Sequence, residues 1–427
     1  MKNQSKKLKE LLYNGLPCVV EGKNFIVFSP YVGKIASLTK QQINNENVKK
    51  QLEREGFFGT PKILTRYKKG EERLTLLTTS DCNLRCIYCF ARGGESALYM
   101  SEKLAIRSVK EVLKPNSKKL HLYFFGGEPT MNFRCIESTI NYVLNNTSVE
   151  PIFEVTTNCV MNNKKLNFLI KNNFLFFVSI DGPPDIQNYQ RPAPNNKPSY
   201  PIVEKTIKKI IDAGCDLKAR TTITSYSVNR MSEIIEYFNQ LGIECVHFES
   251  FTPSGRGTGK EYLRPKTKDY VTNFKKALDM AKKYSMKVTE SSLFFLLNPS
   301  KQFCFSSHGG RLMVTPEGKI TFCLEIQNEN TPLSDLFLVG KYNEDEDKFE
   351  YQPLKIYKLI KHSVDYMKEC NDCFAKYICC GGCPVHNSLT TGDPYKVDKY
   401  LCNIRKGIIR DAIIRIWRVS QGNSNAE

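Results

Sequence analysis

The chain has 427 residues, 16 of them cysteine, and 62 Lys plus Arg face 44 Asp plus Glu, a net charge of +18. An apolar share of 41% excludes general disorder, and no run approaches the ~20 apolar residues of a membrane span. The charged start, Met1 to Glu10, leads into no apolar signal-peptide core, so the expectation is a soluble, cytoplasmic protein with no membrane partner. In a reducing compartment, this many cysteines point to metal or redox chemistry rather than disulfides. Residues 1–75 hold 15 basic and 7 acidic residues, net +8. That suits an acidic partner or a plain solvated face. No arginine-rich tract or zinc-finger spacing favours nucleic acid.

Residues 1–70 read as a small separate module. Phe25–Phe28 forms a short strand, Ser29-Pro30 turns the chain, and Ile43 to Glu55 is helical. Gly56 to Gly59 with Pro61 closes the unit. Six apolar runs follow: 74–77, 120–125, 152–155, 175–180, 217–223 and 245–248. Helical patterns separate them, such as Met231, Ile234, Ile235, Phe238 and Leu241 on one face. Repeated strand–helix units predict an α/β fold with a parallel sheet and outer helices. Six units fit an open, partial (β/α)6 barrel, TIM-like but unclosed, with chemistry at the C-terminal strand ends. Residues 267–284 predict a further helix with Val271, Phe274, Leu278 and Ala281 inward. Beyond about 295 the rhythm is lost. Lys341 to Glu350 reads as a charged loop, the region looks too irregular for a large apolar core, and 416–427 reads as a tail. Metal sites would supply the missing stabilisation.

The first strand runs into Cys82-Asn-Leu-Arg-Cys86-Ile-Tyr-Cys89, a C-x3-C-x2-C spacing. Three thiolates on one tight loop suit three irons of a 4Fe–4S cubane and leave the fourth iron open. A zinc site would need a fourth nearby ligand. A structural trio of buried cysteines is the plainer alternative.

The motif resembles the radical S-adenosylmethionine (SAM) superfamily. Tyr88 stands at the aromatic position of its C-x3-C-x-aromatic-C pattern. The second strand ends in Gly126-Gly127-Glu128-Pro129, like the family's GGEP element. The third ends in Thr156-Thr157-Asn158 and the fourth in Ser179-Ile180-Asp181-Gly182. The resemblance implies a first cluster on Cys82, Cys86 and Cys89. It also implies SAM contacts from Tyr88, Gly126, Gly127, Glu128, Asn158, Ser179, Asp181 and Arg191, with Glu128 receiving the SAM ammonium and Arg191 pairing with a carboxylate. The cluster's electron would cleave SAM to a 5′-deoxyadenosyl radical that abstracts hydrogen from a C–H bond.

The later cysteines are 304, 323, 370, 373, 379, 383 and 402, with Gly318 ahead of Cys323. A zinc ribbon on Cys370, Cys373, Cys379 and Cys383 is one reading. The full spacing resembles the seven-cysteine SPASM domain of peptide-modifying radical SAM enzymes. It implies 71–294 as the radical SAM core, 295–415 as the SPASM domain, and three 4Fe–4S clusters in all. Cys370, Cys373, Cys379 and Cys402 would hold the outer auxiliary cluster, and Cys304, Cys323 and Cys383 the inner one. His308 and Cys380 are left without a ligand role. Cys18, Cys135, Cys159, Cys215 and Cys245 are packing residues.

The resemblance extends to thioether-forming sactipeptide and ranthipeptide maturases, and more distantly to anaerobic sulfatase maturases. It implies a ribosomally made precursor peptide as substrate, a leader sequence for residues 1–70, and a reducing donor such as flavodoxin or ferredoxin. Thioether formation ranks first, carbon–carbon cross-linking second and formylglycine formation third. Sulfatase activators place Asp after the cysteine of the G-x4-C element; here Cys323 is followed by Leu324, with Glu325 as the candidate base. A non-catalytic iron–sulfur electron carrier is the alternative of another class.

Overall fold

The computed structural model describes residues 10–62, 68–304, 311–331 and 333–422. His308 and parts of the N- and C-terminal segments lie outside the described residues. The chain divides into two compact units, Arg66–Thr289 with Phe305–Lys361, and Met1–Thr65 with Glu290–Cys304 and His362–Glu427.

The larger unit is built on one eleven-stranded sheet. Its parallel part comprises β5 (Glu71–Thr79), β6 (Lys119–Gly126), β7 (Glu150–Thr157), β8 (Leu175–Ser179), β9 (Leu217–Ile223), β10 (Cys245–Ser250) and β11 (Lys287–Thr289), paired in that order. The six expected runs are β5 to β10, each joined to the next through a helical crossover, the arrangement of a partial barrel. Side chains on the helix side are fully buried: Leu74, Leu122, Val155, Phe176, Ala219 and Val246 are each at 0% exposure. Helices start where the sequence supplies a cap. Ser101 accepts from Leu104 N–H ahead of Glu102–Val112, and Asn162 accepts from Lys165 N–H ahead of Asn163–Lys171.

The sheet extends beyond β5 through β12 (Leu312–Val314), β13 (Lys319–Thr321), β14 (Leu338–Asn343) and β15 (Lys348–Tyr351). The stretch read as a charged loop is therefore mostly the β14–β15 hairpin. Its exposed face carries the charges, and Phe349 and Val339 turn inward, so the loop reading fails on the alternation that charge concealed. The inward stripe of Thr267–Lys283 is Tyr270, Phe274, Ala277 and Ala281, with Val271 and Leu278 only half-buried.

The second unit contains an antiparallel meander, β1 (Glu10–Tyr13), β2 (Leu16–Glu21), β3 (Asn24–Ser29) and β4 (Lys34–Leu38), followed by the helix Glu46–Arg54. One sheet face packs on Leu52 and Phe57. The other packs Val19, Ile26 and Phe28 against Ile409, Ile413 and Ile414 of the long helix Lys399–Ser420. Asp398 caps that helix by accepting from Tyr400 and Leu401 N–H. The C-terminal region thus does build an apolar core, shared with the N-terminal sheet, and residues 416–420 are helical rather than tail. The units cut across the boundaries at 70/71 and 294/295 for two reasons. The long helix buries its apolar stripe on the meander, and residues 312–351 join the barrel sheet. Replacing Ile413, which is fully buried there, with Ala is expected to cost about 2–5 kcal/mol. A lowered unfolding midpoint checks this, and an unchanged one would contradict the shared core.

Candidate functional site

The cysteine loop follows β5 and is folded by hydrogen bonds to its own backbone. Arg85 Nη1 donates to the Cys82 and Leu84 carbonyls at 2.5 and 2.9 Å, and its Nη2 donates to the Gly94 carbonyl at 3.1 Å. Arg256 reaches over from the segment after β10. Its Nη1 donates to Cys86 O at 3.1 Å and its Nη2 to Gly93 O at 2.8 Å. Lys260 Nζ donates to Ile87 O at 3.2 Å. Neither Arg256 nor Lys260 was identifiable from the sequence, because the loop carbonyls they serve lie some 170 residues away.

N–H groups are aimed at the thiols. Cys82 Sγ accepts from Leu84 N–H at 3.4 Å and from Asn158 Nδ2 at 3.6 Å, and Cys89 Sγ accepts from Gly93 N–H at 3.4 Å. Arg191 Nη1 lies 4.0 Å from Cys86 Sγ. Burial raises the Cys82 thiol well above its ordinary value. It also pushes the Cys86 thiol up to about 11, with Arg191 pulling back. Thiols held protonated in this way must shed their protons to ligate iron, and the N–H donors then face thiolates.

The next strand end presses on this loop. Gly126 has φ +137°, and a Cβ there would lie 2.3 Å from Thr79 O; a Cβ on Gly127 would lie 2.1 Å from Asp81 O. Only glycine allows that approach. Gly127 N–H donates to Thr79 O at 2.7 Å and Glu128 N–H to Asp81 O at 2.8 Å. The Glu128 side chain is fully buried and serves the third strand end. Its Oε1 accepts from Thr130 Oγ1 at 2.7 Å and Thr157 Oγ1 at 2.9 Å, and its Oε2 from Asn158 N–H at 2.7 Å. Burial raises its carboxyl against the pull of these donors. In this structure the carboxylate is a bracket between strand ends.

Asp181 organises the other side. Its carboxylate accepts from Tyr88 Oη, from Gln190 Nε2 at 2.7 Å and from Thr222 N–H at 3.0 Å. Arg191 Nε is paired with it at 3.1 Å, and the guanidinium lies over the Tyr88 ring. The carboxylate that Arg191 meets is thus Asp181. Ser179 closes β8, half-buried. Glu325 is half-buried two residues past Cys323.

A second set of thiols lies in the smaller unit. Cys370, Cys373, Cys379 and Cys402 line one small cavity of about 10 Å³, together with Arg405 and Lys406. Cys383, the fourth member of the ribbon reading, is not among the lining residues. Among the described residues no three His, Cys, Asp or Glu side chains converge as a single-ion site. The donor set of four thiols around one cavity fits a cubane, whose ligands attach to separate irons. Of the remaining ligand candidates, Cys304 and Cys383 belong to the smaller unit and Cys323 to the larger. Cys18, Cys135 and Cys159 are buried.

Residues 76–238 match the family model described as the radical SAM superfamily. The chain carries a radical SAM domain. Its relatives include maturases. It is 23% identical over 327 residues to the cysteine-type anaerobic sulfatase-maturating enzyme of Clostridium perfringens, spanning 71% of this chain and 86% of that one. The solved structure of native anSMEcpe with bound AdoMet and Cp18Cys peptide shares its fold, with a TM-score of 0.65 and 19% identity over 83% of this chain and 100% of that one. So does Streptococcus suis SuiB bound to precursor peptide SuiA, with a TM-score of 0.54 and 15% identity over 91% and 97% of the two chains.

Asp181→Asn would leave the buried Arg191 without its counter-ion. A loss of about 3 kcal/mol in unfolding free energy is expected, with weaker SAM cleavage by the reconstituted protein. Wild-type stability in a denaturant titration would remove Asp181 from this role.

Proposed function

We propose that this radical SAM enzyme modifies a cysteine-containing peptide, forming a thioether between a cysteine sulfur and a substrate carbon. When bound, a cluster on Cys82, Cys86 and Cys89 supplies the electron that cleaves SAM. The protein holds the three thiols on one loop, directs N–H donors to them and buries the surroundings, which keeps water from a reactive radical. The Gly126–Gly127 backbone and the strand ends at Asn158, Ser179 and Asp181 form the surface against which SAM would lie. In the smaller unit, Cys370, Cys373, Cys379 and Cys402 would hold the outer auxiliary cluster. Cys304, Cys323 and Cys383 would supply three ligands to the inner one. The thioether reading rests on this count of three, which the seven-cysteine spacing implies. It leaves one iron able to bind a substrate thiolate.

Peptide substrates are supported by the two solved relatives, both described with a peptide bound. The basic residues 1–70 and their antiparallel meander are the proposed contact for an acidic leader, and a flavodoxin or ferredoxin the proposed electron donor. Formylglycine formation, third on the sequence alone, rises to the second reading because the Clostridium perfringens relative favours it. Leu324 stands where the sulfatase activators carry Asp, which is why it ranks second.

Alanine at Cys82, Cys86 and Cys89 together is expected to abolish SAM cleavage, and persisting cleavage would sink the assignment. Alanine at Cys370 and Cys373 should lower iron from about twelve to about eight per chain; unchanged iron would remove the outer cluster. Cysteine-containing peptides with SAM and dithionite then separate the products. A thioether loses two hydrogens and one alkylatable thiol, a carbon–carbon link loses two hydrogens and keeps the thiol, and formylglycine loses two hydrogens and also replaces sulfur with oxygen.

A further inference from the structure

The helix Lys399–Ser420 carries Cys402, Arg405 and Lys406 at positions i, i+3 and i+4, one face of the helix. All three line the cavity that also contains Cys370, Cys373 and Cys379. The same helical turn therefore delivers one thiol and two cations to one wall. Arg405 is 4% exposed, and its guanidinium lies over the Phe303 ring, 5.0 Å from the centroid. A third lining cation, Lys376, is held by Asp365 at 3.3 Å, so its charge is answered by a carboxylate.

Lys406 follows Arg405 directly on this wall and stands one helical turn after Cys402, so two cations of one helix face the cavity in which the four thiols meet.

We propose that Arg405 and Lys406 are positioning residues that raise the reduction potential of the outer cluster and make it an electron-accepting station. This rests on the reading that the four thiols hold a 4Fe–4S cubane. Reduction there adds one electron, taken from the reduced flavodoxin or ferredoxin donor proposed above, and makes or breaks no bond. The added negative charge is stabilised by fixed neighbouring cations more than the oxidised state is. The cations are fixed because Cys402 anchors the same turn.

The test is a potentiometric titration of the reconstituted full-length protein, reduced with dithionite and followed by electron paramagnetic resonance. The outer-cluster signal is identified by its loss in the Cys370→Ala, Cys373→Ala double variant. Iron and sulfide are counted in every sample. At the wild-type midpoint, Lys406→Gln is expected to lower the reduced-to-oxidised ratio about tenfold, a shift of about 59 mV for a one-electron couple. Lys406→Arg keeps the charge and should stay within about twofold of wild type. An unchanged midpoint in Lys406→Gln with full iron overturns the proposal and leaves the cluster assignment standing. An equal shift in Lys406→Arg also overturns it, since shape rather than charge would then be responsible. If Lys406→Gln fails to hold iron, Lys406→Met carries the same comparison. A wild-type protein whose iron and spectrum are indifferent to the double cysteine variant overturns the cluster reading and the proposal with it.

Discussion

The contact on which the larger unit depends is backbone against backbone. The Gly126–Gly127 turn at the end of β6 lies so close to Thr79 and Asp81 that no side chain fits between them. Two hydrogen bonds seal the approach, and they fix the start of the segment that carries Cys82. From there order propagates through short links. Glu128 follows the glycines and ties their turn to Thr157 and Asn158 at the end of β7. Asn158 then turns its amide back to Asn83 and the Cys82 sulfur. Three successive strand ends close a ring of contacts around one thiol.

A second ring is electrostatic. Asp181 lies just beyond β8, yet it binds Thr222 N–H on β9, Gln190 and Arg191 on the intervening helix and its end, and Tyr88 in the cysteine loop. A buried carboxylate with one guanidinium and several donors is compensated; without them it would be prohibitive. The same guanidinium faces Cys86. Charge at the strand ends is therefore coupled to charge on the loop. The raised thiols of Cys82 and Cys86 record what the pocket costs an unligated anion.

The smaller unit is organised differently. Its apolar core joins the N-terminal meander to the last long helix. Around the second thiol set, Cys373 and Cys379 pack against that core, while Val364, Met367, Cys370 and Val397 form a cluster of their own. Ligation of four thiols would tie the two clusters together. The cations on the cavity wall suit that arrangement, because four clustered thiolates need positive charge nearby.

The sequence by itself determined the strands β5 to β10, because period-two burial and intervening helical stripes are local patterns. It also determined the C-x3-C-x2-C loop and the GGEP turn, because spacing on a short loop constrains geometry without knowledge of the rest. Only the tertiary structure decided that Glu128 brackets strand ends and that Arg191 meets Asp181, while the cavity gathers Cys402 with Cys370, Cys373 and Cys379 as the seven-cysteine spacing implied. It alone revealed Arg256 on the cysteine loop and the union of the first sheet with the last helix. These are contacts between residues far apart in the chain. Local pattern specifies an element and its apolar face, but which distant group meets that face depends on how the whole chain closes its core and compensates its buried charges.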